Sequence, residues 1–239
     1  MLWQPTGLLG GNNRRGCLGG IMKKLVMAAA ALALSAGTAT AQDAAYDWSG
    51  VYVGAQAGHG WGDSRFSHNG IASNTFDIDG FLGGVTLGYN YQFDPHWVAG
   101  VEADFSFANV EGTFGPGNLG VPGGGTWNCA IGACVTDVKW FSTARARIGY
   151  AFDNVLLYGT GGLAIGRVES QIENALSWVV KDTNVGWTAG AGVEYAVNAN
   201  WTTKLEYMHV DLGWTGENAI GFKSDAQIDV VRVGIAYKF

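Results

Sequence analysis

Val231-Arg232-Val233-Gly234-Ile235-Ala236-Tyr237-Lys238-Phe239 is apolar at every odd position and polar or small at every even one. Successive side chains of a strand point to opposite faces, so this segment reads as a strand with one oily and one polar face. Lipid is the solvent expected to accept the oily face. Such a strand suits a transmembrane β-barrel, where one side meets acyl chains and the other a polar lumen.

The alternation recurs. Val51, Val53, Ala55 and Ala57 share a face, as do Phe81, Val85, Leu87, Tyr89, Tyr91 and Phe93, which oppose Thr86, Gly88, Asn90 and Gln92. Trp97, Val101, Ala103, Phe105 and Phe107 oppose Glu102, Asp104 and Ser106. In the fourth segment Val138, Trp140, Ala144, Ala146, Ile148 and Tyr150 lie on one side, with Lys139, Thr143, Arg145 and Arg147 on the other. A Gly-rich fifth segment, residues 155–166, leaves its facing open. Val185, Trp187, Val193 and Tyr195 mark the sixth, and Trp201, Thr203, Leu205 and Tyr207 the seventh. With the terminal strand this makes eight, each close to the ~9–11 residues a tilted membrane strand needs. The expected fold is all-β: an eight-stranded antiparallel transmembrane up-and-down β-barrel.

The connections alternate in length. Asp94-Pro95-His96, Asp153-Asn154 and Asn198-Ala199-Asn200 are tight and built of turn-forming residues. Residues 63–76, 109–135, 169–182 and 213–224 are long and polar. Outer-membrane barrels have short periplasmic turns and longer external loops. Aromatics gather at both levels: Tyr91, Phe93, Trp97, Tyr150, Tyr195, Trp201, Tyr237 and Phe239 near the turns, and Phe107, Trp140, Trp187 and Tyr207 near the loops. Rings of this kind sit where a membrane meets water.

Residues 22–41 have the form of a Sec signal peptide: Lys23-Lys24, an apolar run from Leu25 to Leu34, and Ala39-Thr40-Ala41 before Gln42. Residues 1–21 are expected to be a start-site artefact or leader extension, with a second start at Met22. A short periplasmic segment, residues 42–47, precedes the barrel, residues 48–239. Four of the 14 Lys/Arg lie in the leader, leaving ten against all 20 Asp/Glu. So acidic a chain lacks the basic footprint nucleic acid requires.

Parity sends Glu102, Asp104, Arg145, Arg147, Glu194, Lys204, Glu206 and Arg232 into the lumen. A cation on the lipid side would cost roughly 2–4 kcal/mol at the midplane, so the interior is where these groups belong. A turn centred on Ala199 sets Glu194 opposite Lys204. An eight-stranded barrel is narrow enough for side chains to fill, and the expectation is a plug of mutually neutralising charges.

Cys129 and Cys134 are the only cysteines beyond the leader. In an oxidising compartment they are expected to form a disulfide. Gly159-Thr160-Gly161-Gly162-Leu163-Ala164 fits a dinucleotide-binding spacing, but no helix is expected to follow it, and close strand packing is the preferred reading. His59, His68, His96 and His209 lack ligand spacing. His209, near Asp211 at the outer rim with Ser142 also outward, carries a third functional reading: a barrel enzyme that trims lipid A. No catalytic residue, cofactor or metal is expected.

Trp48-Ser49-Gly50-Val51-Tyr52-Val53-Gly54, Gly58-His59-Gly60-Trp61, Leu205-Glu206-Tyr207-Met208-His209-Val210-Asp211-Leu212-Gly213 and the terminal strand together resemble the small alphaproteobacterial outer-membrane β-barrel proteins labelled porin family or surface antigens. The resemblance implies a barrel similar to the membrane anchor of OmpA. It also implies insertion by the barrel-assembly machinery, with Tyr237 and Phe239 as the assembly signal. The expected location is the cell outer membrane, and the expected role is structural and surface-displaying, with a narrow passive channel as the alternative. Expected partners are outer-membrane lipid and lipopolysaccharide, and an external ligand or host surface at the loops.

Overall fold

The computed structural model describes residues 46–239 except 69–70, 115–117, 121–125, 129–132, 173–178 and 215–221. The leader and residues 42–45 lie outside the described residues. Eight long strands follow one another: β1 (Gly50–His68), β2 (Phe76–Gln92), β3 (Trp97–Phe114), β4 (Cys134–Phe152), β5 (Val155–Ile172), β6 (Val179–Ala196), β7 (Trp201–Trp214) and β8 (Phe222–Lys238). Each pairs antiparallel with its neighbours in chain order, and β1 closes on β8 from Tyr52 opposite Lys238 to His68 opposite Phe222. Closure joins the first strand to the last, so among the described residues no strand edge is left open across the membrane, where hydrocarbon demands that every backbone N–H and C=O be paired.

The three tight turns form by local chemistry. At Asp94-Pro95-His96 the Trp97 amide donates to the Asp94 carbonyl at 3.2 Å. Asp153 adopts φ 50°, the left-handed conformation that a two-residue hairpin requires. Asn198 Oδ1 accepts from the amides of Asn200 and Trp201, both at 3.0 Å. At the other end, part of what reads as loop is strand, because the strands run to 14–19 residues.

This extra length follows from an inversion of the alternation. In β7, Lys204 and Glu206 point inward, and Met208, Val210 and Leu212 then take over the inward positions while Asp211 turns out. In β8, Arg232 gives way to Val230, Ile228 and Ala226 inside, and Val233 to Asp229 and Gln227 outside. Over most of the lipid-facing span the interior is polar, and from the outer ring of aromatics upward it becomes apolar. The barrel therefore continues past the outer ring of lipid-facing aromatics as a tower on the order of 20 Å high, at a strand tilt of about 40°.

Lys139 does not follow the parity of its segment. A β-bulge between Val138 and Trp140 shifts the register of β4 against both neighbours. A bulge adds one residue to one strand and so resets its facing. Lys139 and Trp140 both turn outward, while Val138 and Phe141 are wholly buried. The inward placement of Lys139 and the lipid-side placement of Val138 read from alternation are thereby corrected. β5 sends Leu157, Leu163 and Ile165 outward and Leu156 and Tyr158 inward.

Candidate functional site: the barrel interior

In the membrane-spanning part of the barrel, the inward positions of β3, β4, β6, β7 and β8 bring Glu102, Asp104, Arg145, Arg147, Glu194, Lys204, Glu206 and Arg232 into one layer, all buried. Four cations meet four carboxylates, so the layer is neutral. Arg145 is its hub: Nη1 donates to Glu206 Oε1 at 2.8 Å, and Nη2 to Asp104 Oδ2 at 3.0 Å and to Glu102 Oε1. Arg232 Nη2 reaches Glu206 Oε1 at 2.8 Å and Asp104 Oδ2 at 3.1 Å. Arg147 Nη2 reaches Glu194 Oε2 at 2.7 Å, and Lys204 Nζ reaches Glu102 Oε2 at 2.8 Å.

Two tyrosines that were not among the expected lumen residues complete the layer. Tyr52 donates to Glu102 Oε2 at 2.7 Å and accepts from Arg147 Nη1 at 2.9 Å. Tyr158 donates to Glu206 Oε2 at 2.7 Å, and the Arg147 guanidinium lies 3.9 Å from the centre of its ring. A buried ion must have its remaining hydrogen-bonding capacity met, and neutral hydroxyls meet it without adding charge. Both rings need a bare backbone beside them: a Cβ at Gly88 would enter the Tyr52 ring, and one at Gly192 the Tyr158 hydroxyl. Tyr52 was legible in its even position beside outward Val51 and Val53. Tyr158, in the strand of open facing, was not.

Above this layer lies an apolar cluster that includes Phe66, Ile78, Phe141, Met208, Leu212 and Ile228. Within the outer part of this cluster, hydroxyls join opposite walls: Ser64 Oγ of β1 donates to Thr136 Oγ1 of β4 at 2.9 Å, and Thr136 and Ser170 lie 3.1 Å apart. Ser224 donates to Ser170 at 2.8 Å. Below the charge layer, Trp48 is buried against Val98, Ala151, Leu156 and Ala196, its amide donating to Gln92 Oε1 at 2.9 Å. Tyr46 packs edge-on to Trp48 at 4.7 Å. In this segment ahead of β1, burial and then the charges of Glu194 and Asp47 push the Tyr46 hydroxyl up to about 12. The Ser49 amide holds the Asp47 carboxyl below its usual value.

The other candidate residues are placed apart from this interior. Cys134 is disulfide-bonded, and Cys129 lies outside the described residues. His209 Nδ1 is 2.8 Å from Asp229 Oδ1, which also accepts from the Tyr207 hydroxyl at 2.8 Å. Ser142, on β4, donates to the Asp104 carbonyl at 2.7 Å and is separated from β7 by β5 and β6. The outward Ser, His and acid are thus not gathered into one group. Tyr237 and Phe239 pack edge to face at 5.2 Å at the turn end of β8, with the Phe239 amide donating to the Val51 carbonyl. No cluster of three or more metal-ligating side chains occurs among the described residues.

The family described as outer membrane protein beta-barrel domain matches residues 29–239. The 31 kDa outer-membrane immunogenic protein of Brucella melitensis biotype 1 is 39% identical over 226 residues, covering 86% of this chain and 89% of the relative. The 22 kDa outer membrane protein of Rhizobium leguminosarum bv. viciae is 33% identical over 198 residues, covering 80% and 78%. Among solved structures, Neisserial surface protein A is similar with 18% identity and a TM-score of 0.47, covering 80% of this chain and 98% of that one.

Proposed function

Because the chain belongs to the outer membrane protein beta-barrel domain family, we propose that this outer-membrane protein acts as a sealed structural barrel, stabilising the envelope and displaying its loops on the outside without turning over a substrate. The observation that carries this reading is the succession of packed layers across the interior: Trp48, the neutral charge layer, the apolar cluster, and the Ser64 to Thr136 contact between opposite walls. Each layer alone would obstruct an ion, and burying a bare ion among apolar side chains is prohibitive. Relatives are named immunogenic outer-membrane proteins, which accords with display of loops.

A narrow passive channel is the second reading. It is favoured by one feature: Asp104 Oδ1, Arg145 Nε, Arg147 Nε and Arg232 Nη1 have no protein partner within the charge layer. Planar-bilayer recording on the refolded, processed protein separates the two. A flat baseline is expected, and discrete unitary currents would defeat the sealed reading. Protease shaving of intact cells should cut the loops between β1 and β2, β3 and β4, β5 and β6, and β7 and β8; protection of all four would defeat outward display.

A further inference from the structure

The tower's outward face is not uniformly charged. On β4, β5 and β6 it carries Lys139, Arg167 and Lys181 with Asp137 and Glu169. On the other five strands, seven described carboxylates face outward with Arg65 and Lys223; one of them, Glu111 on β3, stands opposite Asp137 beside Lys139, whereas Asp63, Asp77, Asp79 and Asp229 lie on strands not adjacent to these three. The three cations are neighbours: Trp140, beside Lys139, pairs with Arg167, and Glu169 pairs with both Asp137 and Lys181. Arg167 and Lys181 hold the two oxygens of Glu169 at 3.0 and 3.2 Å, and Lys139 is bonded to Asp137.

The carboxylates are tucked in and the cations stand out. Asp137 and Glu169 side chains are 15% and 23% exposed, whereas Lys139, Arg167 and Lys181 are 46%, 43% and 53% exposed. The anions thus fix the cationic heads in place without covering them. Directly beneath lie the last lipid-facing side chains of the same strands, Trp140, Leu163, Ile165 and Val185. Three cations immediately above an apolar wall match an amphiphile whose phosphate and acyl chains meet at that height.

We propose that Lys139, Arg167 and Lys181 form a docking site for the phosphorylated headgroup of lipid A in the outer leaflet, with its acyl chains lying against Leu163, Ile165 and Val185. The proposal rests on the outward orientation of the loops given above. The bulge at Lys139 is what makes the site, since an unbroken alternation would turn that ammonium inside.

The processed protein, in detergent micelles, is titrated with bisphosphorylated lipid A, and bound lipid is counted by native mass spectrometry. The variant K139Q/R167Q/K181Q should bind about tenfold more weakly, while R65Q/K223Q on the acidic side should bind as the unaltered chain does. The unaltered chain should bind lipid A stripped of its phosphates about tenfold more weakly as well, a measurement independent of whether the triple variant folds. Unchanged affinity in the folded triple variant, indifference to the phosphates, or tighter binding of a heparin oligosaccharide than of lipid A would each overturn the site. Currents recorded from the same preparation would count against the sealed barrel alone.

Discussion

Glu194 and Lys204 stand directly opposite each other across the β6–β7 hairpin, yet each bonds elsewhere. The Lys204 ammonium goes to Glu102 on β3 at 2.8 Å, and Glu194 takes Arg147 from β4 at 2.7 Å and the Thr202 hydroxyl at 2.7 Å. Pairing across the lumen ties non-adjacent strands to one another, which pairing across the hairpin would not. The charge layer therefore braces the barrel from within.

The bracing is unevenly distributed, because Arg145 serves Glu102, Asp104 and Glu206 while Lys204 serves Glu102. Arg145→Ala should cost about 3–5 kcal/mol, since it strands buried carboxylates. Lys204→Met should cost about 1.5–3 kcal/mol, as Glu102 keeps its arginine contacts and Tyr52. Urea or guanidinium unfolding of the two variants, followed by heat-modifiable gel mobility, measures the order; Lys204→Met proving the costlier would refute the hub.

Phe141 lies in the interior apolar cluster at the foot of the tower, facing away from lipid. Phe141→Ala should destabilise by about 3–5 kcal/mol, through lost burial and the cavity left behind. Bilayer recordings should stay flat, because the charge layer and the Ser64 to Thr136 bridge remain. Conductance appearing in this variant would make the apolar cluster the sole seal.

Trp48 closes the mouth at the turn end of the barrel from a segment that is not itself strand. Trp48→Ala should lower the unfolding midpoint, by about 3–5 kcal/mol if the mouth does not collapse, while leaving strand content by circular dichroism unchanged. A normal midpoint would show that the segment merely rests against the barrel.

Gly161 and Gly162 are sequence neighbours with opposite demands. A Cβ on Gly161 faces lipid with its nearest neighbour, the Thr188 carbonyl oxygen, at 3.6 Å, whereas one on Gly162 would drive into the Ala144 carbonyl oxygen. Gly161→Ala should be nearly neutral, and Gly162→Ala should cost about 1–3 kcal/mol from forced backbone movement. Equal folding yields and midpoints for the two would contradict the close approach of β4 and β5.

The strand count, the closure and the inward set of eight charges were legible because a membrane is an unforgiving solvent. Leu205 and Tyr207 must face lipid and Lys204 and Glu206 must not, so position parity alone sorts them. The tower was legible only in part. Met208-His209-Val210-Asp211-Leu212 does alternate, but with its apolar residues on the other parity, and the inversion becomes readable once a second solvent, water, is allowed to set the phase.

By itself the sequence determined which strands exist and, for all but the Gly-rich fifth, which face meets acyl chains, since one-dimensional alternation encodes a two-sided environment. Tertiary structure alone decided that Lys139 turns out at a bulge, that Lys204 passes over Glu194 for Glu102, and that Ser64 meets Thr136 across the lumen. Those outcomes depend on register between strands and on distances across the closed barrel, and no local pattern of residues carries either.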